Sequence, residues 1–238
     1  MKVLVVGGAG YLGSIVGDVL ETEHICYHFD CIPVDKARSV VGDVSDVKAV
    51  AAAVRNMDMV LYMPLGVRPG TLSDVSDAST CFDVHALGFY HFVSEGLRAG
   101  VMRFIYVSTL GVFSKIEEKG RDPLTEGNAP DSFFPYGLSK RLGELVGAAA
   151  IQRRPELSML VVRLCLPCHE RDWPPRLLKK GSFSRFATGP NDTRRFFRAL
   201  VHFDRPGLHI IHASGDLTNE TLSNARAAEM LGWKPEGN

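Results

Sequence analysis

The stretch KVLVVGGAGYLG, residues 2–13, decides the fold of this chain of 238 residues. Its first part is a short apolar run without polar interruption, which is typical of a strand buried on both faces of a parallel sheet. Glycines follow at positions 7, 10 and 13, and apolar residues then recur at helical spacing as far as Leu20. A strand, a glycine-rich turn and a helix in direct succession predict the first βα unit of a dinucleotide-binding domain.

The same alternation continues along the chain. Apolar runs predict strands at residues 2–6, 25–29, 40–41, 57–63, 103–108, 157–164 and 208–212. Helical spacing predicts helices at residues 12–20, 45–54, 80–99, 136–151, 192–201 and 222–231, with Ser45 as the N-cap of the second and Gly232 as the stop of the last. Strands that alternate with helices indicate right-handed crossovers. The predicted fold class is therefore α/β, a Rossmann-type doubly wound parallel sheet.

Two regions are expected within this fold. Residues 1–164 hold the predicted strands and helices of a nucleotide-binding domain. Residues 165–191 show no periodicity and are predicted to form a long functional loop. Residues 165–238 are expected to form a small C-terminal substrate-binding region packed on the same domain.

The composition excludes several classes of partner. The chain is 45% hydrophobic and 23% charged, and 27 basic side chains balance 27 acidic ones. No bulk field therefore attracts nucleic acid or an anionic membrane, and no apolar run reaches the roughly 18 residues of a membrane helix. Glycines interrupt the apolar N-terminal run, which argues against a secretory signal. We expect a cytoplasmic protein without nucleic-acid or membrane partners.

The cysteines do not indicate a metal or disulfide site. Their number, five, is odd in a chain long enough to build its own core. The segment Cys165-Leu166-Pro167-Cys168-His169 matches the spacing of a haem attachment site and of a redox dithiol. No second Cys/His pair lies at ligand spacing, however, and the segment directly follows a predicted strand. We expect no metal, haem or dithiol function.

The glycine-rich turn predicts a nucleotide site. Gly7, Gly10 and Gly13 let the backbone approach a pyrophosphate, whose charge the free N–H groups at the helix N-terminus can hold. Asp30 ends the second predicted strand about 20 residues further on, where a carboxylate binds the adenosine ribose and repels a 2′-phosphate. The predicted cofactor is therefore NAD rather than NADP. Asp43 and the Val44 amide, after the third strand, are placed to meet the adenine edge.

A second motif predicts proton chemistry. Tyr136 and Lys140 lie four residues apart, on one face of a predicted helix. A nearby ammonium group favours the phenolate form of tyrosine, which can then take a hydroxyl proton as hydride leaves the substrate carbon. Thr109 ends the fifth predicted strand, at the sheet edge where α/β sites form, and can hydrogen-bond the reacting oxygen. Its neighbour Ser108 points the opposite way.

These motifs together resemble the extended short-chain dehydrogenases/reductases, the NAD-dependent epimerase/dehydratase group. The resemblance rests on the three glycines, Asp30, Gly42-Asp43-Val44, Val107-Ser108-Thr109 and the stretch from Pro135 to Lys140, and it spans essentially the whole chain. Arg163 and the closing LGWKP, residues 231–235, are also similar. Within the group the chain most resembles compact uronate-dehydrogenase-like members, which oxidise a free sugar acid at C1.

The resemblance implies a set of site residues. Thr109, Tyr136 and Lys140 would form the catalytic triad. The cofactor would be held by Gly7, Gly10, Tyr11, Leu12, Gly13, Asp30, Asp43, Val44, Leu65, Gly66, His85, Tyr136, Lys140 and Leu166. The substrate would meet Arg68, Thr109, Leu110 and Arg171, because arginine suits a carboxylate or phosphate. Arg176 and Arg185 are further loop arginines, and the motifs do not decide which of the four binds substrate.

The sequence departs from the group at three places. His85 holds a position usually taken by Asn, either as a hydrogen-bond bridge or as a buried polar filler. Leu110-Gly111 replaces the Asp-Glu pair of dehydratases and the Asn-His pair of uronate dehydrogenases. The segment Met63-Pro64-Leu65-Gly66 is more apolar than the usual His-x-Ala. A dehydratase is therefore not expected, and the choice of substrate stays open.

Three functions remain in consideration. The leading one is hydride transfer between NAD and a hydroxyl or aldehyde carbon of a sugar or sugar acid. The second is an epimerase that retains its NAD, and the third is a catalytically silent NAD-binding sensor. The resemblance also implies a homodimer built by helices 80–99 and 136–151, with Phe89, Tyr90 and Phe92 at its interface.

Overall fold

A computed structural model describes residues 1–66, 78–114, 116, 122–174 and 186–238. Its strands are β1 (Lys2–Val6), β2 (Ile25–Asp30), β3 (Ser39–Val41), β4 (Met59–Tyr62), β5 (Arg103–Thr109), β6 (Ser158–Leu164) and β7 (Gly207–Ala213). Its α-helices are α1 (Tyr11–Glu21), α2 (Val47–Ala53), α3 (Ala78–Phe82), α4 (Phe89–Arg98), α5 (Pro135–Arg153), α6 (Pro190–His202) and α7 (Ala225–Leu231). A π-helical segment, Asp83–Gly88, joins α3 to α4, and short 3-10 turns follow β5 and β6.

The strands form one parallel sheet in the order β3-β2-β1-β4-β5-β6-β7. The order runs outward from β1 in both directions, which is the Rossmann-type arrangement. The predicted α/β fold class is therefore confirmed. The reversal of direction between β1 and β4 opens a crevice at the carboxyl ends of these strands, where ligands bind in such sheets.

Two apolar cores cover the two faces of the sheet. One packs α1, α6 and α7 against the sheet through residues such as Ile15, Phe196 and Ala227. The other packs α2, α4 and α5 against it through residues such as Val50, Phe92 and Ala150. The central strands β4 and β6 are buried along their whole length. The apolar sequence of β4 and the apolar run of β6 at residues 159–162 follow from this burial on both faces.

Helix α2 begins one residue later than expected. Asp46, not Ser45, is the N-cap, and its carboxylate accepts hydrogen bonds from the N–H groups of Lys48 and Ala49. A carboxylate at this end of a helix also gains from the helix dipole. At the other end of the chain, Gly232 stops α7 in the left-handed region at φ 65°, as predicted.

Helix α5 lies unusually close to the sheet. A Cβ atom added at Gly143 would fall 2.1 Å from the phenol oxygen of Tyr106 and 2.6 Å from the carbonyl oxygen of His85. Glycine is therefore required at this contact, because any side chain would push the helix outward. The close approach places the first two turns of α5 against the end of β5.

Residues 165–238 add the last strand to the same sheet and share its core. Trp233 packs against Phe196 of α6 with 4.7 Å between ring centroids and the ring planes tilted by 57°. The carboxylate of Asp192 accepts backbone N–H bonds from residues 236–238, which ties the end of the chain to α6. In the described part of the chain, no helix combines the length and the apolar character needed to cross a membrane.

Candidate active site

The glycine-rich turn lies between the end of β1 and the start of α1. Gly7 adopts φ +88°, and a Cβ atom there would fall 2.8 Å from the backbone nitrogen of Pro64. Only glycine fits this turn, because the backbone at Pro64 already occupies the space that a side chain would take. Asp30, at the end of β2, accepts a 2.9 Å hydrogen bond from the N–H of Ala9 in the same turn. The structure thus brings the predicted acidic residue directly to the predicted phosphate-binding turn.

A cavity of about 480 Å³ opens beside this turn. Its lining contains seven of the residues predicted to hold a cofactor: Gly7, Gly10, Asp30, Asp43, Val44, Leu65 and Gly66. It also contains residues that the motifs did not identify: Val6, Phe29, Cys31, Ile32, Pro64, Thr80 and Val84. Cys31 and Ile32 directly follow Asp30 in the sequence. Their position after the end of β2 could therefore have identified them as cavity residues.

Tyr11 and the segment after β6 are bonded to each other. The Tyr11 hydroxyl donates to Oδ2 of Asp172 at 2.7 Å and accepts from the N–H of His169 at 2.7 Å. Burial and the Asp172 hydrogen bond raise the pKa of Tyr11 to about 12. The guanidinium of Arg171 lies over the same ring at 6.0 Å. Arg171, predicted to bind substrate, therefore lies against the glycine-rich turn.

Thr109 and Tyr136 meet at the carboxyl end of β5. The two side chains are hydrogen-bonded, and Thr109 Oγ1 also accepts a 3.0 Å bond from the N–H of Gly111. Tyr136 is in the first turn of α5, and its ring makes an edge contact with His85 at 5.4 Å between centroids. The structure thus brings together the two hydroxyl groups that the sequence predicted to act on one substrate oxygen.

Lys140 lies one turn further along α5 and is almost completely buried. Its Nζ atom donates to the carbonyl oxygen of Val107 at 2.8 Å and to that of Pro64 at 3.3 Å. Burial lowers the pKa of Lys140 to about 7, although charges at Cys81 and Glu144 act in the opposite direction. The ammonium group therefore lies against the backbone of β5 and of the loop after β4.

The expectation that Lys140 favours the Tyr136 phenolate needs correction for this state of the protein. Burial raises the pKa of Tyr136 to about 12, and the Thr109 hydrogen bond only partly offsets it. Desolvation penalises the charged form of both groups. In the structure as it stands, Tyr136 carries its proton.

His85 bridges the loop after β4 and helix α5. It is fully buried in the π-helical segment, with Nε2 2.5 Å from the carbonyl oxygen of Leu65 and Nδ1 2.8 Å from Oγ of Ser139. Burial and the charge of Lys140 hold the pKa of His85 well below its usual 6.5, so the ring is neutral. A carbonyl oxygen only accepts, so Nε2 carries the hydrogen, and the single hydroxyl hydrogen of Ser139 is shared between Nδ1 and the carbonyl oxygen of Tyr136. Of the two interpretations that the sequence allowed, the hydrogen-bond bridge is the one the contacts support.

The remaining predicted residues have different surroundings. Leu110 is fully buried in a third apolar cluster with Val112 and Leu222, so the predicted substrate contact through its side chain is wrong. Leu166 is exposed at φ +35°, a strained backbone conformation for this residue type that often marks a functional site. Gly13 is buried and Leu12 partly buried on α1. Arg68, Arg176 and Arg185 lie outside the described residues.

The described residues give little support to a metal centre. All five cysteines belong to that part of the chain and form no disulfide bond. One His/Glu cluster, Glu23 with His24 and His202, lies where α1 and α6 end. Glu23 is already paired with Arg198 and His202, and nearby positive charges oppose a cation at His24. We assign no metal to it.

The sequence model of the NAD dependent epimerase/dehydratase family matches residues 3–181 of the chain. L-arabinose 1-dehydrogenase (NAD(P)(+)) from Haloferax volcanii is 23% identical over 262 residues, covering 100% of this chain and 97% of that protein. A 3-beta-hydroxysteroid dehydrogenase from Mycolicibacterium neoaurum is 31% identical over 119 residues, covering 47% of this chain. That match spans only 32% of the steroid enzyme's own length.

Solved structures with the same fold include sugar-acid enzymes. Uronate dehydrogenase from Agrobacterium tumefaciens superposes with a TM-score of 0.79 at 19% identity, over 99% of this chain and 84% of that one. A solved complex with UDP-glucuronic acid and NAD superposes with a TM-score of 0.80 at 18% identity, over 100% and 95% of the two chains. At these identities the likeness establishes the fold alone.

Proposed function

The chain belongs to the NAD-dependent epimerase/dehydratase family, and from this membership we propose that it transfers hydride between NAD and a hydroxyl or aldehyde carbon of a sugar or sugar acid. The observation that carries the proposal is the hydrogen bond between Thr109 and Tyr136, with Lys140 one turn along the same helix. A silent binding protein would not require three such groups at one sheet edge.

The residues present fit NAD. The glycine-rich turn at Gly7 would admit a pyrophosphate, and the N-terminus of α1 would face its charge. Asp30 would accept hydrogen bonds from the adenosine ribose, and Asp43 with Val44 would border the adenine. Leu65 and Gly66, at the other end of the cavity lining, and Leu166 would border the nicotinamide. When bound, this cofactor supplies or accepts the hydride.

Tyr136 would handle the proton. In the reduction direction, its phenol donates a proton to the carbonyl oxygen while the carbonyl carbon receives hydride. In the oxidation direction, the phenolate takes the hydroxyl proton as hydride leaves. Oxidation requires a further positive charge near Tyr136, which Lys140 in its ammonium form would provide together with the bound cofactor.

Thr109 would orient the reacting oxygen. Its hydroxyl lies against that of Tyr136, so one substrate oxygen can contact both. The N–H of Gly111 holds Thr109 Oγ1 in place. The remainder of the substrate would extend toward the segment after β6, where Arg171 is 71% exposed at its side chain and can meet a carboxylate.

A homodimer forms part of the proposal, but its interface differs from the one expected. Phe89 and Phe92 are completely buried in the core and cannot take part in it. The exposed apolar residues on the outer side of the same helices are Leu87, Tyr90 and Leu145. We therefore place the contact between two copies on these three side chains.

The test is NADH formation, followed by absorbance, with NAD and a panel of free aldoses, uronic acids and nucleotide sugars. A signal with free aldoses or uronates supports the proposal and identifies the substrate class. Absence of NADH over the panel, in protein that binds NAD, would contradict it. Conversion of a nucleotide sugar to its epimer without NADH release would establish the epimerase instead.

One observation favours a second substrate class. Phe133 and Phe134, directly before the start of α5, are 85% and 64% exposed, and Leu166 is 44% exposed. Such an apolar border suits an apolar alcohol better than a sugar. A hydroxysteroid therefore belongs in the same panel, and turnover of it with no turnover of sugars would replace the sugar assignment.

A further inference from the structure

A buried group of charged and polar side chains joins helix α5 to strands β5 and β6. Glu144 of α5 accepts two hydrogen bonds from Arg163 of β6, at 3.0 Å from Nε and 2.7 Å from Nη2. It also accepts a 2.6 Å hydrogen bond from the hydroxyl of Ser108 at the end of β5. Three donor atoms of two residues, Arg163 and Ser108, thus converge on the carboxyl oxygens of Glu144.

This arrangement joins the three elements that carry the candidate catalytic residues. Ser108 directly precedes Thr109 and is paired in register with Arg163. Glu144 lies four residues after Lys140, so the two side chains are neighbours on α5. A single negative charge is therefore fixed one helical turn behind the ammonium group of Lys140.

Stability alone does not account for the group. Removing two charges from water costs free energy that their attraction seldom exceeds, and an apolar replacement is often as stable. Here the arrangement is also incomplete, because Nη1 of Arg163 is buried without a hydrogen-bond partner among the residues that the structure describes. A costly ion pair beside a catalytic helix suggests that its charge serves the site.

We propose that Glu144 is a positioning residue that holds Lys140 in its ammonium form at neutral pH. The inference rests on the proposed function, because the ammonium form matters only if Lys140 stabilises the Tyr136 phenolate and the cofactor. Glu144 itself touches neither substrate nor cofactor. Ser108 and Arg163 fix its carboxylate so that the charge cannot turn away from Lys140.

The surroundings of Lys140 explain why such a charge is needed. The pKa of Lys140 is lowered to about 7 by burial even though Cys81 and then Glu144 act to raise it, so the ammonium form is only partly populated at neutral pH and would be less so without Glu144. The neutral ring of His85 and the ring of Tyr106, 5.3 Å from Nζ, supply no full charge. The groups that face Lys140 are Cys81 of α3, His85 of the π-helical segment, Tyr106 of β5, Tyr136 and Glu144 of α5, and the carbonyl oxygens of Pro64 and Val107.

The first test measures Lys140 directly. In protein labelled with ¹³C-lysine, the Lys140 resonance (assigned with Lys140→Met) is titrated in the full chain and in Glu144→Gln. Gln keeps the size and an acceptor for Ser108 but removes the charge. We expect the Lys140 titration to move about one pH unit lower, the size of effect that a neighbouring opposite charge has. An unchanged titration overturns the proposal whether or not the protein is active.

A matched control separates charge from stability. Asp216→Asn removes another buried carboxylate, which accepts backbone N–H bonds from Thr221 and Leu222 and is not among the groups acting on Lys140. This variant should lose stability without moving the Lys140 titration. A shift of the same size in Asp216→Asn would also overturn the proposal. Cys81→Ser measures the contribution of the thiol by the same readout.

The second test uses activity. With a substrate from the panel, kcat/KM of Glu144→Gln should fall about tenfold on the alkaline side, because the lower pKa removes the ammonium form at a lower pH. Activity on the acid side should change little. If no substrate is turned over, the proposed function fails while the resonance titration still decides the role of Glu144. If Glu144→Gln does not fold, Glu144→Gln with Arg163→Met leaves no unpaired ion, and the same downward shift is expected.

Discussion

The Nδ1 atom of His85 lies 2.8 Å from the Oγ atom of Ser139, and through this bond the loop after β4 is fixed to helix α5. The other ring nitrogen holds the carbonyl oxygen of Leu65, which lines the cavity beside the glycine-rich turn. Ser139 Oγ is also 2.9 Å from the carbonyl oxygen of Tyr136. One buried imidazole therefore links the cofactor side of the site to its catalytic side.

His85→Ala should weaken both stability and NAD binding. The change leaves the Leu65 carbonyl unpaired and creates a cavity, which together should cost about 2–4 kcal/mol of unfolding free energy. Urea unfolding and NAD titration measure the two effects. Ser139→Ala is the comparison: it removes the Nδ1 partner and the contact with the Tyr136 carbonyl but leaves the Leu65 bond, so it should cost less. An NAD affinity equal to that of the original protein would mean that His85 does not position the loop.

Tyr136→Phe should reduce turnover by about 10²–10⁴-fold, the usual contribution of a positioned proton donor or acceptor. The NAD dissociation constant should stay within about twofold, because a ring of the same shape remains next to His85. Initial rates and an NAD titration check the two statements. Tyr90→Phe, at an exposed tyrosine, is the control. Retention of most activity in Tyr136→Phe removes the phenol from the mechanism.

Asp30→Ala should weaken the binding of NAD and reduce the preference for NAD over NADP. The carboxylate both repels a 2′-phosphate and accepts the Ala9 N–H, so the variant loses charge and a support of the turn. Asp30→Asn keeps an acceptor for Ala9 and should lose only the charge effect. Dissociation constants for both cofactors in both variants separate the two roles. If the ratio of the two constants is the same as in the original protein, Asp30 does not select the cofactor.

Acid should destabilise the protein partly through His212. This side chain is completely buried in β7, and burial lowers its pKa from 6.5 to about 3. Between these two values the unfolded chain binds the proton and the folded one does not, so stability is lost as pH falls from 6.5 toward 3. The loss should reach about 2 kcal/mol at pH 5.

His212→Leu removes that titration, so the stability difference between pH 7 and pH 5 should shrink by about the same amount. Urea unfolding at the two pH values measures it. His209→Leu, at a partly exposed histidine on the same strand, controls for a general effect of the substitution. An equal acid sensitivity in His212→Leu and the original protein would contradict the prediction.

Leu145→Arg should disrupt the proposed homodimer. Leu145 is 61% exposed on α5, so a charge there should cost little in the isolated subunit but much in an apolar interface. Light scattering after size-exclusion chromatography measures the mass of both proteins. Leu217→Arg, at another exposed leucine (59%), is the control and should leave the mass unchanged. A monomeric original protein, or a Leu145→Arg dimer, would place the interface elsewhere or remove it.

The sheet could be predicted because burial on both faces leaves its strands as uninterrupted apolar runs. This held for β1 and for β5 and β6, whose ends agree with the structure within one residue. The glycine-rich turn could be predicted for the same kind of reason, since its backbone geometry admits few residue types. In both cases local sequence and tertiary environment impose the same requirement.

The sequence predictions that need correction concern features that depend on tertiary packing and not on the local sequence pattern. Phe89 and Phe92 are apolar residues on a helix, and only the packing of α4 against the sheet shows that the core takes them. The cap at Asp46 and not Ser45 is a choice between adjacent residues of similar propensity. The ionisation of Tyr136 depends on how deeply it is buried, and a spacing of four residues carries no such information.

The π-helical segment Asp83–Gly88 has a consequence for the geometry of the site. A wider turn holds one residue more than an α-helix of the same length, so α3 and α4 differ in angular phase by about 100°, the rotation of one residue. Deleting one residue from this segment would restore a regular helix and rotate Cys81 and Ala78 around the axis relative to α4. The sequence of this helix can therefore be aligned with that of an uninterrupted one only by a gap at this point, and the catalytic surroundings depend on that inserted residue.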